Sequence, residues 1–187
     1  MPHKNPHINR IHILYKSMVK RYINIDETFR IILDEGLKAF NLSLGIVSQI
    51  DGDKYTLLAV SGAPDGVYPG LSLQLKNTYC KKVVDEKRII STKNAGVNKS
   101  YNTHPVYINM KLESYISAPI WVRSKIWGTI NFSSTKIKSE DFSSEDHEFI
   151  SLMAEGIASL LEIDILTKEK ESIIQSLVES NQILEKI

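Results

Sequence analysis

The stretch from Glu113 to Ser134, ESYISAPIWVRSKIWGTINFSS, constrains the fold more than any other part of the chain. Apolar residues run to Val122, the polar triplet Arg123, Ser124 and Lys125 breaks them, and apolar residues resume at Ile126. Two apolar runs around a short polar break form an antiparallel hairpin, in which each strand satisfies the other's backbone groups. A second hairpin is read upstream: Leu42, Leu44, Ile46, Val47 and Ile50 make one strand, DGDK at 51–54 turns, and Tyr55 to Val60 returns.

Helical spacing frames these strands. Ile8, Ile11, Leu14, Tyr15, Met18 and Val19 recur at steps of three and four, which predicts a first helix over 7–19. Asp26 is the expected N-cap of a second helix that buries Phe29, Ile32, Leu33, Leu37 and Phe40 and ends at Asn41. Between the hairpins lie a Gly- and Pro-containing stretch at 61–70, a short strand over 71–75, a short helix over 78–87 and a strand over 88–92. Residues 93–112 are read as a long loop with a helical turn over 106–110, and loops of that length commonly form a lid or a binding wall. This order predicts α+β with an antiparallel sheet rather than alternating βαβ units.

Ser143 and Asp146 then open a long helix. Phe149, Met153, Gly156, Leu160, Ile163, Thr167, Lys170, Ile174, Leu177, Asn181 and Leu184 follow alternating steps of four and three, a seven-residue repeat interrupted at Thr167 and Lys170. Two readings are open. One is the seam of a parallel dimer with Asn181 setting register; the other is a single amphipathic helix on its own sheet, its apolar face broadened by Leu152, Ile157, Leu166 and Ile173.

The late hairpin, ESYISAPI followed by WGTINFSS, resembles the strand pair near the end of a GAF domain, a small-molecule sensing module of signalling proteins. LSLGIVSQIDGDKY at 42–55, NTYCKKVV at 77–84 and FSSEDHEFISLMAEGIASLLE at 142–162 resemble segments of the same family in the same order. The resemblance implies a GAF-like, PAS-related α+β fold. Its central antiparallel sheet has about six strands, with terminal helices on one face and loops and short helices on the other. The implied organisation is an N-terminal helix over 1–24, the GAF-like domain over 25–162 and a C-terminal signalling or coiled-coil helix over 163–187.

Composition narrows the function. With 187 residues, 42% of them hydrophobic, the chain suits one globular domain that buries roughly 70% of its unfolded surface. A net charge of +1 supplies no global field for nucleic acid. No run approaches the ~20 apolar residues of a membrane span, and the first dozen residues lack the apolar core of a signal peptide. The single cysteine, Cys80, forms no internal disulfide, so a cytoplasmic location is expected. Basic residues cluster before Asp26, whereas 140–164 is acidic, which fits either two solvated faces or a side-by-side pairing of the first and last helices.

Catalytic motifs are not apparent: there is no phosphate loop, HExxH pair or GxSxG elbow, and neither a metal nor a cofactor is implied. Cys80, in the first turn of a short helix beside Lys81 and Lys82, is either a reactive thiol or a small buried hydrophobe. It precedes Lys81 and comes early, unlike the bilin-attaching cysteine that the family's photoreceptors carry before a histidine late in the domain. One thiol also cannot complete the disulfide exchange of the family's methionine sulfoxide reductases. His7 and His12 stand five apart, which does not put them on one helix face, while His104 and His147 are read as exposed.

The resemblance implies that a ligand lies between the sheet and the loops at 62–75, 77–84 and 103–112, facing 115–120 and 129–133. Candidate ligand-binding residues are Tyr79, Tyr107 and Tyr115 for stacking or donation, with Thr78, Ser117, Thr129 and Asn131 for orientation. Core packing is the plainer role for each. The expected function is a non-enzymatic sensory or regulatory module, homodimeric through its terminal helices and relaying to a kinase or cyclase output domain in a two-component-type system. The alternatives are a Cys80-dependent redox enzyme or sensor and a ligand-free structural dimerisation domain.

Overall fold

The computed structural model describes residues 24–184. The helix expected over 7–19, and its pairing with the last helix, lie outside the described residues. Asn24, rather than Asp26, caps helix α1 (Ile25–Phe40): its side chain accepts from the Asp26 amide at 3.2 Å, leaving Asp26 and Glu27 to favour the positive helix end. Asn41 closes the helix in the left-handed region, φ 54°.

Six strands follow, β1 (Leu44–Asp51), β2 (Lys54–Ser61), β3 (Ser72–Gln74), β4 (Ile90–Thr92), β5 (Ser114–Val122) and β6 (Lys125–Ser134), arranged as one sheet in the order β3-β2-β1-β6-β5-β4. Every neighbouring pair is antiparallel. The β5–β6 turn holds only Arg123 and Ser124, both with positive φ (48° and 63°), the twist that suits a two-residue hairpin. β4 covers β5 only from Tyr115 to Ser117, so Pro119 stands where β5 has become an edge.

Alternation gives the sheet two cores. On one side, Ile116, Ala118, Ile120, Ile130 and Phe132 meet Phe29, Ile32, Leu33 and Phe40 of α1. The same core includes Phe149, Ile150, Met153 and Ile157 of the last helix, α4 (Ser144–Leu184). Phe40 is its hub, with ring centroids 5.0 Å from Phe132 and 5.9 Å from Phe149. On the other side, Tyr55, Leu57, Ile90 and Tyr115 of the sheet pack with Leu75 and Tyr79 and with Cys80 and Val83 of a short helix, α2 (Cys80–Glu86), and a second short helix, α3 (Pro105–Met110), adds Val106 and Tyr107.

Ser143 and Asp146 cap α4 reciprocally: the Asp146 amide donates to Ser143 Oγ at 3.2 Å and the Ser143 amide to Asp146 Oδ2 at 3.1 Å. The start of the seven-residue stripe, Phe149 and Met153, is buried against the chain's own sheet. Farther on, Ile163, Leu166, Ile173, Ile174 and Leu177 are exposed along a helix that has left the core. The early stripe therefore serves the core, and only its later part faces outward.

Candidate functional site

A cavity lies in the second core, between the sheet and its cover of loops and short helices. Leu44 and Ile46 from β1, Tyr55 and Leu57 from β2, Tyr115 from β5, and Asn131 and Ser133 from β6 form its floor. Val67, Leu71, Leu73, Thr78, Tyr79, Cys80, Val106, Met110 and Leu112 close it above. The space is about 80 Å³, several times the ~10–15 Å³ that one water needs and about half the ~150 Å³ of an engineered apolar cavity that takes benzene.

Its deep end is polar. Cys80 Sγ is 3.2 Å from Tyr115 Oη and accepts from Thr129 Oγ1 at 3.2 Å and Asn131 Nδ2 at 3.5 Å. Tyr55 Oη accepts from Asn131 Nδ2 at 3.0 Å and from the Cys80 thiol at 3.5 Å. Thr129 Oγ1 also meets Ser48 Oγ at 2.9 Å. Among the described residues no buried side-chain nitrogen or oxygen lacks a hydrogen-bond partner. Burial, and next the neighbouring Cys80, push the Tyr55 and Tyr115 hydroxyls well above the ordinary tyrosine range, so both remain neutral.

Four of the seven expected residues, Thr78, Tyr79, Tyr115 and Asn131, line this space together. The other three lie outside its wall. Tyr107 donates to Glu113 Oε1 at 2.9 Å while the Gly96 amide donates to Oε2 at 2.9 Å, so Glu113 ties α3 to the loop before it. Ser117 donates to the Ile130 carbonyl at 3.0 Å, and Thr129 sits beneath Cys80. Even Thr78 and Tyr79 have structural partners, the carbonyls of Leu75 (2.8 Å) and Leu112 (3.2 Å). Sequence reasoning missed the contribution of β1 and β2; the alternating Leu44, Ile46 and Tyr55, Leu57 carried that signal.

Two histidines read as exposed are half-buried. His104 caps α3, its Nδ1 accepting from the Val106 amide at 3.2 Å with its ring 5.0 Å from that of Tyr79; burial holds its pKa below the usual histidine value. His147 Nε2 lies 2.9 Å from Ser91 Oγ, joining α4 to β4. No cluster of histidine, cysteine and carboxylates suited to a metal occurs among the described residues, and no described helix is long and apolar enough to cross a membrane.

The GAF domain family model matches residues 23–162, well over half of the chain. The chain belongs to the GAF family. GAF domains are sensory and regulatory modules of signalling proteins. This one is similar in fold to the GAF domain of an Acinetobacter phosphoenolpyruvate-protein phosphotransferase, with a TM-score of 0.73 at 15% identity over 88% of this chain and 98% of that one. A phycocyanobilin-bound GAF domain from a cyanobacterial phytochrome gives 0.69 at 12% identity over 85% and 97%. The free methionine-R-sulfoxide reductase of Neisseria meningitidis, solved with its substrate, gives 0.65 at 10% identity over 85% and 92%. At these identities the likeness is one of fold. No curated protein matches this GAF domain by sequence.

Proposed function

We propose that this GAF domain is a non-enzymatic sensor in which a small molecule occupies the cavity beneath α3 and shifts the packing of the terminal helices in a homodimer. One observation carries the reading: β5 and β6 wall the cavity through Tyr115, Asn131 and Ser133 and hold α1 and α4 on their reverse face through Ile116, Ile130 and Phe132. A ligand that prefers one arrangement of those strands biases the helices, whereas equal affinity for both arrangements transmits nothing. The outward stripe of α4 fits a parallel coiled pairing with a second copy, with Ile174 and Asn181 at one seam position and Ile163 and Leu177 at the other. The output is a kinase or cyclase domain of a cytoplasmic signalling system reached through that helix.

Native mass spectrometry of the full chain tests this reading, with a dimer and a retained small molecule as the expected result. Truncation after Asp164 is expected to leave a monomer. A dimer that survives truncation excludes the helix as its main determinant.

Two other readings have specific tests. Cys80 lines the cavity amid hydroxyl and amide groups, which favours a thiol-dependent redox role; turnover lost in Cys80→Ser would establish it. Absence of a retained molecule, together with no thermal shift from any added one, would favour a structural dimerisation unit.

A further inference from the structure

We propose that the ligand of this cavity is an uncharged, predominantly apolar molecule close to propanol in size, and that anions such as nucleotides and carboxylates are rejected. The inference rests on reading the cavity as the sensing site. None of the side chains that line it carries a formal charge: the wall is aliphatic and tyrosyl, with Thr78, Cys80, Asn131 and Ser133 as its other polar members. An anion drawn into it would lose much of its hydration without gaining a countercharge, which is costly. The nearby carboxylate of Glu113 faces Tyr107 and Gly96, and Lys111 lies over the Tyr107 ring; neither charge is part of the wall.

Even the polar wall groups favour an apolar guest. Tyr55, Cys80, Tyr115 and Asn131 already hydrogen-bond to one another, so an apolar molecule leaves none of them unpaired, whereas a polar one must break this set. Ser133 contributes one further hydroxyl to the wall, enough to meet a single neutral polar group. A space of about 80 Å³, about half that of the cavity that accepts benzene, suits a guest of roughly three to four heavy atoms. Entry falls to α3, which supplies Val106 and Met110 to the roof and buries none of its own residues.

The test titrates the ¹⁵N-labelled full chain at neutral pH with dissolved xenon, propanol, acetate and cyclic AMP, following the amides of Leu57, Val106, Leu112 and Tyr115. Xenon and propanol are expected to shift these amides, with acetate at least about tenfold weaker than propanol. Val106→Phe, which fills the space from the roof, abolishes both responses, and Leu71→Phe serves as a second filling variant should the first disturb α3. Acetate or cyclic AMP binding as tightly as propanol overturns the inference, as does the lack of any response to both xenon and propanol. Propanol binding that leaves the α4 amides and the oligomeric state unchanged supports the ligand class while removing the sensing role, so the two failures are distinguishable.

Discussion

Arg123 at the tip of the β5–β6 hairpin donates two hydrogen bonds to Glu169 on α4, Nη1 to Oε1 at 2.9 Å and Nη2 to Oε2 at 2.8 Å. Its backbone amide also donates to Glu162 at 3.3 Å. The pair thus fastens the strands that floor the cavity to the helix where it leaves the core. Both side chains are half exposed, so Arg123→Ala is expected to leave the global unfolding midpoint nearly unchanged. Its effect is local: amide exchange over 163–170 should accelerate. The guanidinium beside Glu169 holds its carboxyl below the usual range, so this tether is intact above the ordinary glutamate pKa of about 4.3 and is lost as pH falls through the lowered value. Exchange in α4 measured between neutral and acidic pH, with the variant as control, checks it.

Gly128 and Gly36 both sit at close approaches, but against different obstacles. A Cβ on Gly128 would come 1.8 Å from the Ser48 carbonyl oxygen, a backbone atom of β1, whereas one on Gly36 would come 2.1 Å from the Phe132 ring. Backbone in a paired strand cannot yield, and Gly36→Ala also gains about 1 kcal/mol of helix propensity. Gly128→Ala is therefore expected at or above the upper end of the ~1–3 kcal/mol typical of overpacking, and Gly36→Ala at the lower end. Urea unfolding of the two variants ranks them.

Cys80 is 2% exposed, which predicts slow modification by a thiol reagent at neutral pH and rapid modification in urea. Cys80→Ala removes the shared partner of Thr129 and Asn131 and is expected to cost about 1–3 kcal/mol, with Cys80→Ser milder because the hydroxyl restores an acceptor. Fast native labelling would reverse this assignment and strengthen the redox reading.

His104 must be neutral to accept from the Val106 amide, and burial holds its pKa below the ordinary value of about 6.5. Its contribution to α3 is present above that value and is lost as pH falls through the lowered one. Acidification should therefore loosen the roof, seen as faster exchange at the Val106 amide. His104→Asn, which retains a capping acceptor, should flatten the pH dependence while preserving the helix.

Most of the fold was legible because each hairpin is a pair of apolar runs joined by a short polar turn. Glu113–Ser134 and Leu44–Ser61 each fold as expected, with boundaries moved by a residue or two. The cap of α1 moved from Asp26 to Asn24 because both side chains suit the role, and only the backbone decides which one stands outside the helix. The cavity was half legible. Tyr79 and Tyr115 are bulky residues on segments that had to cover the sheet, but whether Tyr107 points inward or toward Glu113 is a tertiary choice with no local signature. The long α4 repeat hid a change of duty, since spacing alone does not distinguish Met153 against its own sheet from Ile174 facing outward.

Along β5, odd-numbered Tyr115 and Ser117 answer to one compartment and even-numbered Ile116, Ala118 and Ile120 to the other. Substitutions there can be absorbed one at a time, but a change of length cannot. Inserting or deleting a single residue before Ile116 would exchange the two chemistries wholesale, turning hydroxyls toward Phe149 and isoleucines toward Cys80. Genetic variation in this strand should thus be confined to replacement, with indels displaced to the segments at either end.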